Sequence, residues 1–248
     1  MTSTDRLIEM QGEIQDAAAA KGISLKLLGG LGIAVSSPTE DRALERGFAD
    51  IDLLSRRSES LDVRALFEEL GYGMDPSSAL TVHRRQTWWP ESGDTHVDVF
   101  LGEFEMCHTL DLEPRLDVTP AALPAADLLL SKLQIVELNE KDVIDVARLL
   151  STHELGDDDS PGTINLPYVC GLLGADWGFY TTVTDNLEAL AGAGPVSAAG
   201  DSAAIEDRRR RLLDALEAAS KTRGFRMRGR IGRKKRWYQL PEEVIDDV

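Results

Sequence analysis

The residue types best placed to do chemistry in this chain are three aspartates. In Ala49-Asp50-Ile51-Asp52-Leu53-Leu54, period-two alternation sends Ile51 and Leu53 to one face of a strand. Both aspartates then share the other face, about 6 to 7 Å apart along the backbone. In His96-Val97-Asp98-Val99-Phe100 the same alternation turns both valines inward and offers a third carboxylate. Like charges this close beside apolar residues are costly unless a cation is shared between them, and hard oxygen ligands suit Mg²⁺ or Mn²⁺. Upstream, the apolar run Leu25 to Leu28 stops at Gly29-Gly30, a turn whose backbone amides can face phosphate oxygens. A glycine turn, an Asp-x-Asp strand and a later Asp strand supply what phosphoryl transfer needs: amides for phosphate and carboxylates for metal. Strand-end aspartates are also commonly solvated or paired with arginine, so the weight rests on the conjunction.

Elements must position these groups. Leu7, Ile8, Ile14 and Ala17 to Ala20 predict an N-terminal helix ended by Gly22, and residues 31–35 predict a short helix before Pro38. Residues 62–70 read as a helix stopped at Gly71, and 79–89 and 95–101 as two strands flanking a turn at 90–94. Beyond residue 120 the pattern turns helical, over 125–138, 140–150 and 205–219, with an acidic loop at 156–161. An Ala/Gly/Ser-rich stretch over 191–204 reads as a linker, and 225–240 as a hairpin turning near Gly229 to Gly232. The expectation is an α+β protein: a mixed sheet with flanking helices, then a mainly helical C-terminal region. The parts are 1–120 (catalytic), 121–190 (helical), 191–204 (linker) and 205–248 (helix and basic segment).

This order of motifs resembles the nucleotidyltransferase superfamily that includes DNA polymerase beta, with Gly29-Gly30, Asp50-Ile51-Asp52 and Asp98 in the family's positions. It is more closely similar to the abortive-infection (AbiEii-type) nucleotidyltransferases, which include toxin components of toxin-antitoxin systems. That family adds a basic residue before the Asp pair, resembled by Arg46. It also has a helical lysine, resembled by Lys132, and a Lys-Asp helix, resembled by Lys141-Asp142-Val143-Ile144-Asp145. The likeness spans roughly residues 24–150. It departs from the family in a longer gap between Gly30 and Asp50 and in Phe48, where relatives carry Ser or Thr.

The resemblance implies that Asp50, Asp52 and Asp98 bind Mg²⁺ or Mn²⁺ and are catalytic together with Lys132. Gly29, Gly30, Arg46, Lys132, Asp142 and Asp145 would contact ATP or another nucleoside triphosphate. An acceptor hydroxyl would then attack the α-phosphate, with pyrophosphate leaving. Two alternatives stand beside this: a non-catalytic nucleotide- or RNA-binding module on the same fold, and a small-molecule, antibiotic-type nucleotidyltransferase. For Lys132 a snorkelling surface role competes with phosphate contact, and Asp142 can equally serve the start of its helix.

The charge distribution bears on the acceptor. The net charge is −16, yet residues 221–237 carry only cations, which leaves about −25 for the remainder. Arg226, Arg228, Arg230, Arg233, Lys234, Lys235 and Arg236 point to RNA, tRNA included, or to docking on the chain's own acidic body or on an acidic partner such as an antitoxin. The content of 42% hydrophobic and 28% charged residues excludes a disordered chain. Two cysteines outside any CxxC pair give no footing to a disulfide framework or a zinc site, and no signal peptide or spanning segment is visible, so a cytoplasmic protein without a membrane partner is expected. His83 and His96 read as structural, and Trp88-Trp89 as the core and rim of a hairpin.

Overall fold

A computed structural model describes residues 3–240 except Leu80, Val82 and Asp94. The chain divides into two units: Met1–Ser36, Gly47–Phe104 and Leu110–Pro124 make up the first, and Ser37–Arg46, Glu105–Thr109 and Ala125–Val248 the second.

The first unit opens with helix α1 (Ser3–Ala20), whose buried residues Leu7, Ile14 and Ala18 recur at helical spacing on one face. Gly22, at φ 74°, supplies the left-handed turn that ends it. There follow β1 (Lys26–Leu27), α2 (Gly29–Ser36), β2 (Ile51–Ser55), α3 (Ser60–Glu69), β3 (Gly73–Met74), β4 (Arg85–Trp89) and β5 (Val97–Leu101). The short strands β6 (Glu103–Glu105) and β7 (Thr109–Asp111) come next. Five strands form one mixed sheet in the order β1-β2-β5-β4-β3. Its centre, β2 beside β5, is parallel, and the other neighbours are antiparallel. All five residues of β5 are buried, as a central strand covered on both faces requires. Trp88 is fully buried and stacks on Phe67 of α3 at 5.1 Å, while Trp89 keeps 37% exposure. The pair is thus core and rim, as its sequence predicts.

Strand β4 is shorter than the expected 79–89. Asp75 accepts hydrogen bonds from the Ser77 amide and hydroxyl, and Pro76–Ala79 winds into a 3₁₀ turn instead of a strand. Leu80, Val82 and the end of the expected 90–94 turn lie outside the described residues.

The second unit is mainly helical. It holds α4 (Ala125–Leu133), α5 (Glu140–Thr152), the parallel pair β8 (Glu154–Gly156) and β9 (Thr163–Asn165), and α6 (Leu166–Ala175). Then come α7 (Trp177–Ala189), α8 (Gly194–Ala198), α9 (Ser202–Ala218) and α10 (Arg223–Ile231). Side-chain caps start four of these helices: Asn139 for α5, Asn165 for α6, Asp176 for α7 and Thr222 for α10. Residues 191–204, expected as a linker, contain α8 with Val196 and Ala199 buried. The small residues there allow close packing as readily as flexibility.

The expected hairpin over 225–240 is instead α10 followed by a 3₁₀ turn at Gly232–Lys234. The Thr222 hydroxyl accepts from the Phe225 amide and opens the helix, and Gly232 at φ 59° closes it. Residues 241–248, the end of the expected basic segment, lie outside the described residues. No helix among the described residues is long and apolar enough to cross a membrane.

His108 and His153 are buried in the second unit, and burial pulls both imidazoles below the ordinary 6.5. The unfolded chain therefore binds more protons than the folded one as pH falls through about 6.5, and stability falls with it in that window. Thermal melts from about pH 7.5 down to about 5.5 are expected to show a falling Tm, with a shallower slope in His108→Gln/His153→Gln. An equal slope in the variant rejects the histidines as the cause.

Candidate functional site

In the first unit, the parallel register of β2 and β5 sets Asp52 directly opposite Asp98. Adjacent strands lie about 4.8 Å apart, so the two residues meet on one face of the sheet. Ile51 and Leu53 are fully buried on the other face, as the alternation predicts, and Asp50 immediately precedes β2. Asp98 is 2% exposed.

The glycine turn serves this pair directly. Gly29 begins α2 at φ 61°, a left-handed conformation that side chains rarely adopt. A Cβ built there would stand 1.9 Å from Asp52 Oδ2. Glycine is therefore required twice, by the backbone angle and by the carboxylate lying against it. That carboxylate sits beside the start of a helix, where the dipole favours negative charge. Gly30 is buried in the same turn.

The charge of Asp98 is met by three side chains. Thr87 Oγ1 donates to Oδ1 at 2.6 Å, Arg85 Nη2 donates to Oδ2 at 2.5 Å, and His96 Nε2 lies 3.3 Å from Oδ2. Arg85 also stands over the Phe100 ring at 5.4 Å, and His96 packs against Trp89. Sequence reasoning passes over Arg85 and Thr87. The signal lies in the register, because β4 pairs antiparallel with β5 and sets Thr87 opposite Asp98. His96, expected to be structural, has the site carboxylate itself as its partner.

Three carboxylates are the donor chemistry a hard divalent cation takes. Their arrangement fits it only in part. Among the described residues no group of three His, Cys, Asp or Glu side chains is placed to hold a metal ion, and the oxygens of Asp98 are engaged by Arg85 and Thr87. Asp50 and Asp52 carry the same oxygen-donor chemistry, and Asp98 could share an ion with them only by exchanging its arginine.

The second unit gathers the remaining expected residues into an ion-pair network of its own. Arg46 grips Asp145 with both ends of its guanidinium, at 2.7 and 2.6 Å. Lys132 on α4 reaches Asp142 at 3.1 Å and Asp145 at 3.0 Å, both on the first turns of α5. The Lys132 side chain is only 14% exposed and does not snorkel to water. Burial alone would lower its pKa, but the charges and hydrogen bonds of Asp145 and Asp142 outweigh burial and hold it above the ordinary lysine value. Asn139 caps α5 by accepting from the Asp142 amide, which fixes that carboxylate beside the lysine. Arg148, one turn beyond Asp145, donates to the Ser37 carbonyl and is a member that sequence reasoning misses.

In the basic end, helix α10 separates Arg228 from Arg226 and Arg230, three residues that a strand of the expected hairpin would have set on one face. Arg228 stacks over Trp177 at 4.7 Å and donates to the carbonyls of Gly232 and Lys235, and Arg233 is paired bidentately with Asp185. Arg226, Arg230, Lys234, Lys235 and Arg236 remain exposed.

Replacing Arg85 with glutamine removes the cation competing for Asp98. Mn²⁺ titration followed by electron paramagnetic resonance is expected to show affinity raised about ten-fold in Arg85→Gln. Unchanged affinity would place Asp98 outside the ion site. In the second unit, Lys132→Met strips two buried carboxylates of a partner and is expected to cost about 3 kcal/mol in urea unfolding. A loss under about 1 kcal/mol would show that water already neutralises them.

No family model and no curated protein matches the chain. Among solved structures, a lincomycin-bound lincosamide antibiotic adenylyltransferase, LnuA, is similar over 55% of this chain and 91% of its own, with 16% identity and a TM-score of 0.40. The antibiotic-resistance factor ANT(2'')-Ia is similar over 88% of this chain and 99% of its own, with 15% identity and a TM-score of 0.41. At these values neither likeness assigns an activity to this chain.

Proposed function

We propose that the chain is a nucleotidyltransferase that moves a nucleoside monophosphate from a nucleoside triphosphate to a hydroxyl acceptor. The observation that carries this reading is the Asp52–Asp98 register across β2 and β5, with Asp50 beside it and Gly29 against the Asp52 carboxylate. Asp50 and Asp52 would hold Mg²⁺ or Mn²⁺, which when bound neutralises charge on the phosphates. The Gly29-Gly30 turn would offer backbone amides to phosphate oxygens. Asp98, held by Thr87 and Arg85, would orient the acceptor hydroxyl and take its proton as it attacks the α-phosphate. For Lys132, Arg46, Asp142 and Asp145, a nucleotide-binding role rests on the order of the motifs.

The acceptor class we favour is RNA, tRNA included, because of the basic end. A toxin-like role in the cytoplasm, with an antitoxin as partner, follows from the abortive-infection resemblance. One observation favours a second reading: with Asp98 already satisfied by Arg85, a module that binds nucleotide without turnover is chemically consistent. Transfer to a small antibiotic is the other acceptor class to be tested.

The test is transfer of α-labelled ATP, CTP, GTP or UTP, with Mg²⁺ or Mn²⁺, to total RNA, to the protein itself and to lincomycin. Label on RNA is expected, and Asp52→Asn is expected to lower it by more than about 100-fold, the scale of losing one electrostatic stabiliser. Nucleotide binding without transfer to any acceptor would favour the binding module, and label on lincomycin alone would favour the small-molecule enzyme.

A further inference from the structure

Helix α10 has two dissimilar faces. Phe225, Arg228 and Gly229 point into the second unit. Phe225 meets Tyr180 edge-on at 5.2 Å, Arg228 covers Trp177, and a Cβ on Gly229 would stand 3.0 Å from the Trp177 ring. Farther along, Arg233 is locked to Asp185, and Trp237 Nε1 donates to Thr182. The helix is thus fixed along its length by aromatic and ionic anchors and is not a loose basic tail.

The opposite face carries Arg223, Arg226 and Arg230, spaced three and four residues apart so that they lie in one row. Lys234 follows directly. None of these four cations has an ion pair among the described residues. Between them, Met227 and Ile231 stand one turn apart at 56% and 47% exposure.

We propose that this face of α10 binds single-stranded RNA, with Arg223, Arg226, Arg230 and Lys234 on successive phosphates and Met227 and Ile231 against base faces. Arg223, Arg226 and Arg230, in a row at helical pitch and without an ion pair among the described residues, match a phosphate backbone, which Lys234 extends from the 3₁₀ turn beyond Gly232. The apolar pair between them selects among polyanions, since unstacked bases present apolar faces and a duplex hides them. A nine-residue helix that exposes two large apolar side chains offers too small an apolar surface for stable insertion into a membrane interface. The assignment deepens the RNA-acceptor reading and rests on it for its meaning, while binding itself needs neither nucleotide nor metal.

The experiment is fluorescence anisotropy of a labelled, unstructured RNA of about 20 nucleotides with the full-length chain, across a salt series. Wild type is expected to bind, with log Kd rising linearly with log salt. Arg226→Ala/Arg230→Ala/Lys234→Ala is expected to weaken binding at least about ten-fold and to reduce the salt slope by about 2, while melting like wild type. Arg64→Ala, a control on the first unit, is expected to bind RNA as wild type does. Equal binding by the triple variant and wild type, equal weakening by Arg64→Ala, tighter binding of duplex than of single strand, or binding to phosphatidylserine vesicles with none to RNA would each overturn the proposal. Weakened RNA binding in the triple variant, alongside no transfer to any acceptor by the wild type that does bind RNA, would uphold this surface and overturn the transferase reading alone.

Discussion

Two carboxylates held face to face on adjacent parallel strands are the constraint around which the first unit is arranged. The apolar sides of β2 and β5 are fully buried, so neither strand can rotate Asp52 or Asp98 away without exposing Ile51, Leu53, Val97 or Val99. The repulsion is therefore built in and must be answered locally. It is answered on one side by the start of α2, where Gly29 leaves room for the Asp52 carboxylate, and on the other by Thr87 and Arg85 closing on Asp98. The exposed rim of the sheet, including His96 and Trp89, packs around that solution.

The second unit meets the same difficulty with different means. Asp142 and Asp145 are buried at 4% and 1% exposure near the start of α5, and two cations from distant parts of the chain converge on them. Removing Lys132 or Asp145 takes a partner from two members at once, which makes the network intolerant of those substitutions even where it adds little net stability.

What could be read from the chain and what could not divide along physical lines. The Asp50-Ile51-Asp52 and Val97-Asp98-Val99 strands are legible because alternation between faces is written in consecutive residues. Arg85 and Thr87 are not, since their closeness to Asp98 depends on the pairing register of β4, a property of two segments together. In α10 the alternating Arg226, Arg228 and Arg230 with interspersed glycines imitate a strand. The helix is chosen by the Thr222 cap and by contacts to Trp177 and Tyr180, which no local window contains. Likewise the small residues of 191–204 read as flexible, while Val196 is buried.

The excursion of Ser37–Arg46 into the second unit, between Gly30 and Asp50, bears on how the chain is made. Arg46 leaves the ribosome ninety-nine residues ahead of Asp145, its bidentate partner. Every strand of the five-stranded sheet has emerged by then, so the first unit can assemble while this ten-residue segment waits as an unsatisfied loop. Biosynthesis thus imposes an order on the two clusters: the sheet carboxylates can find their partners during translation, whereas the Arg46–Asp145 grip closes only after α5 has been synthesised.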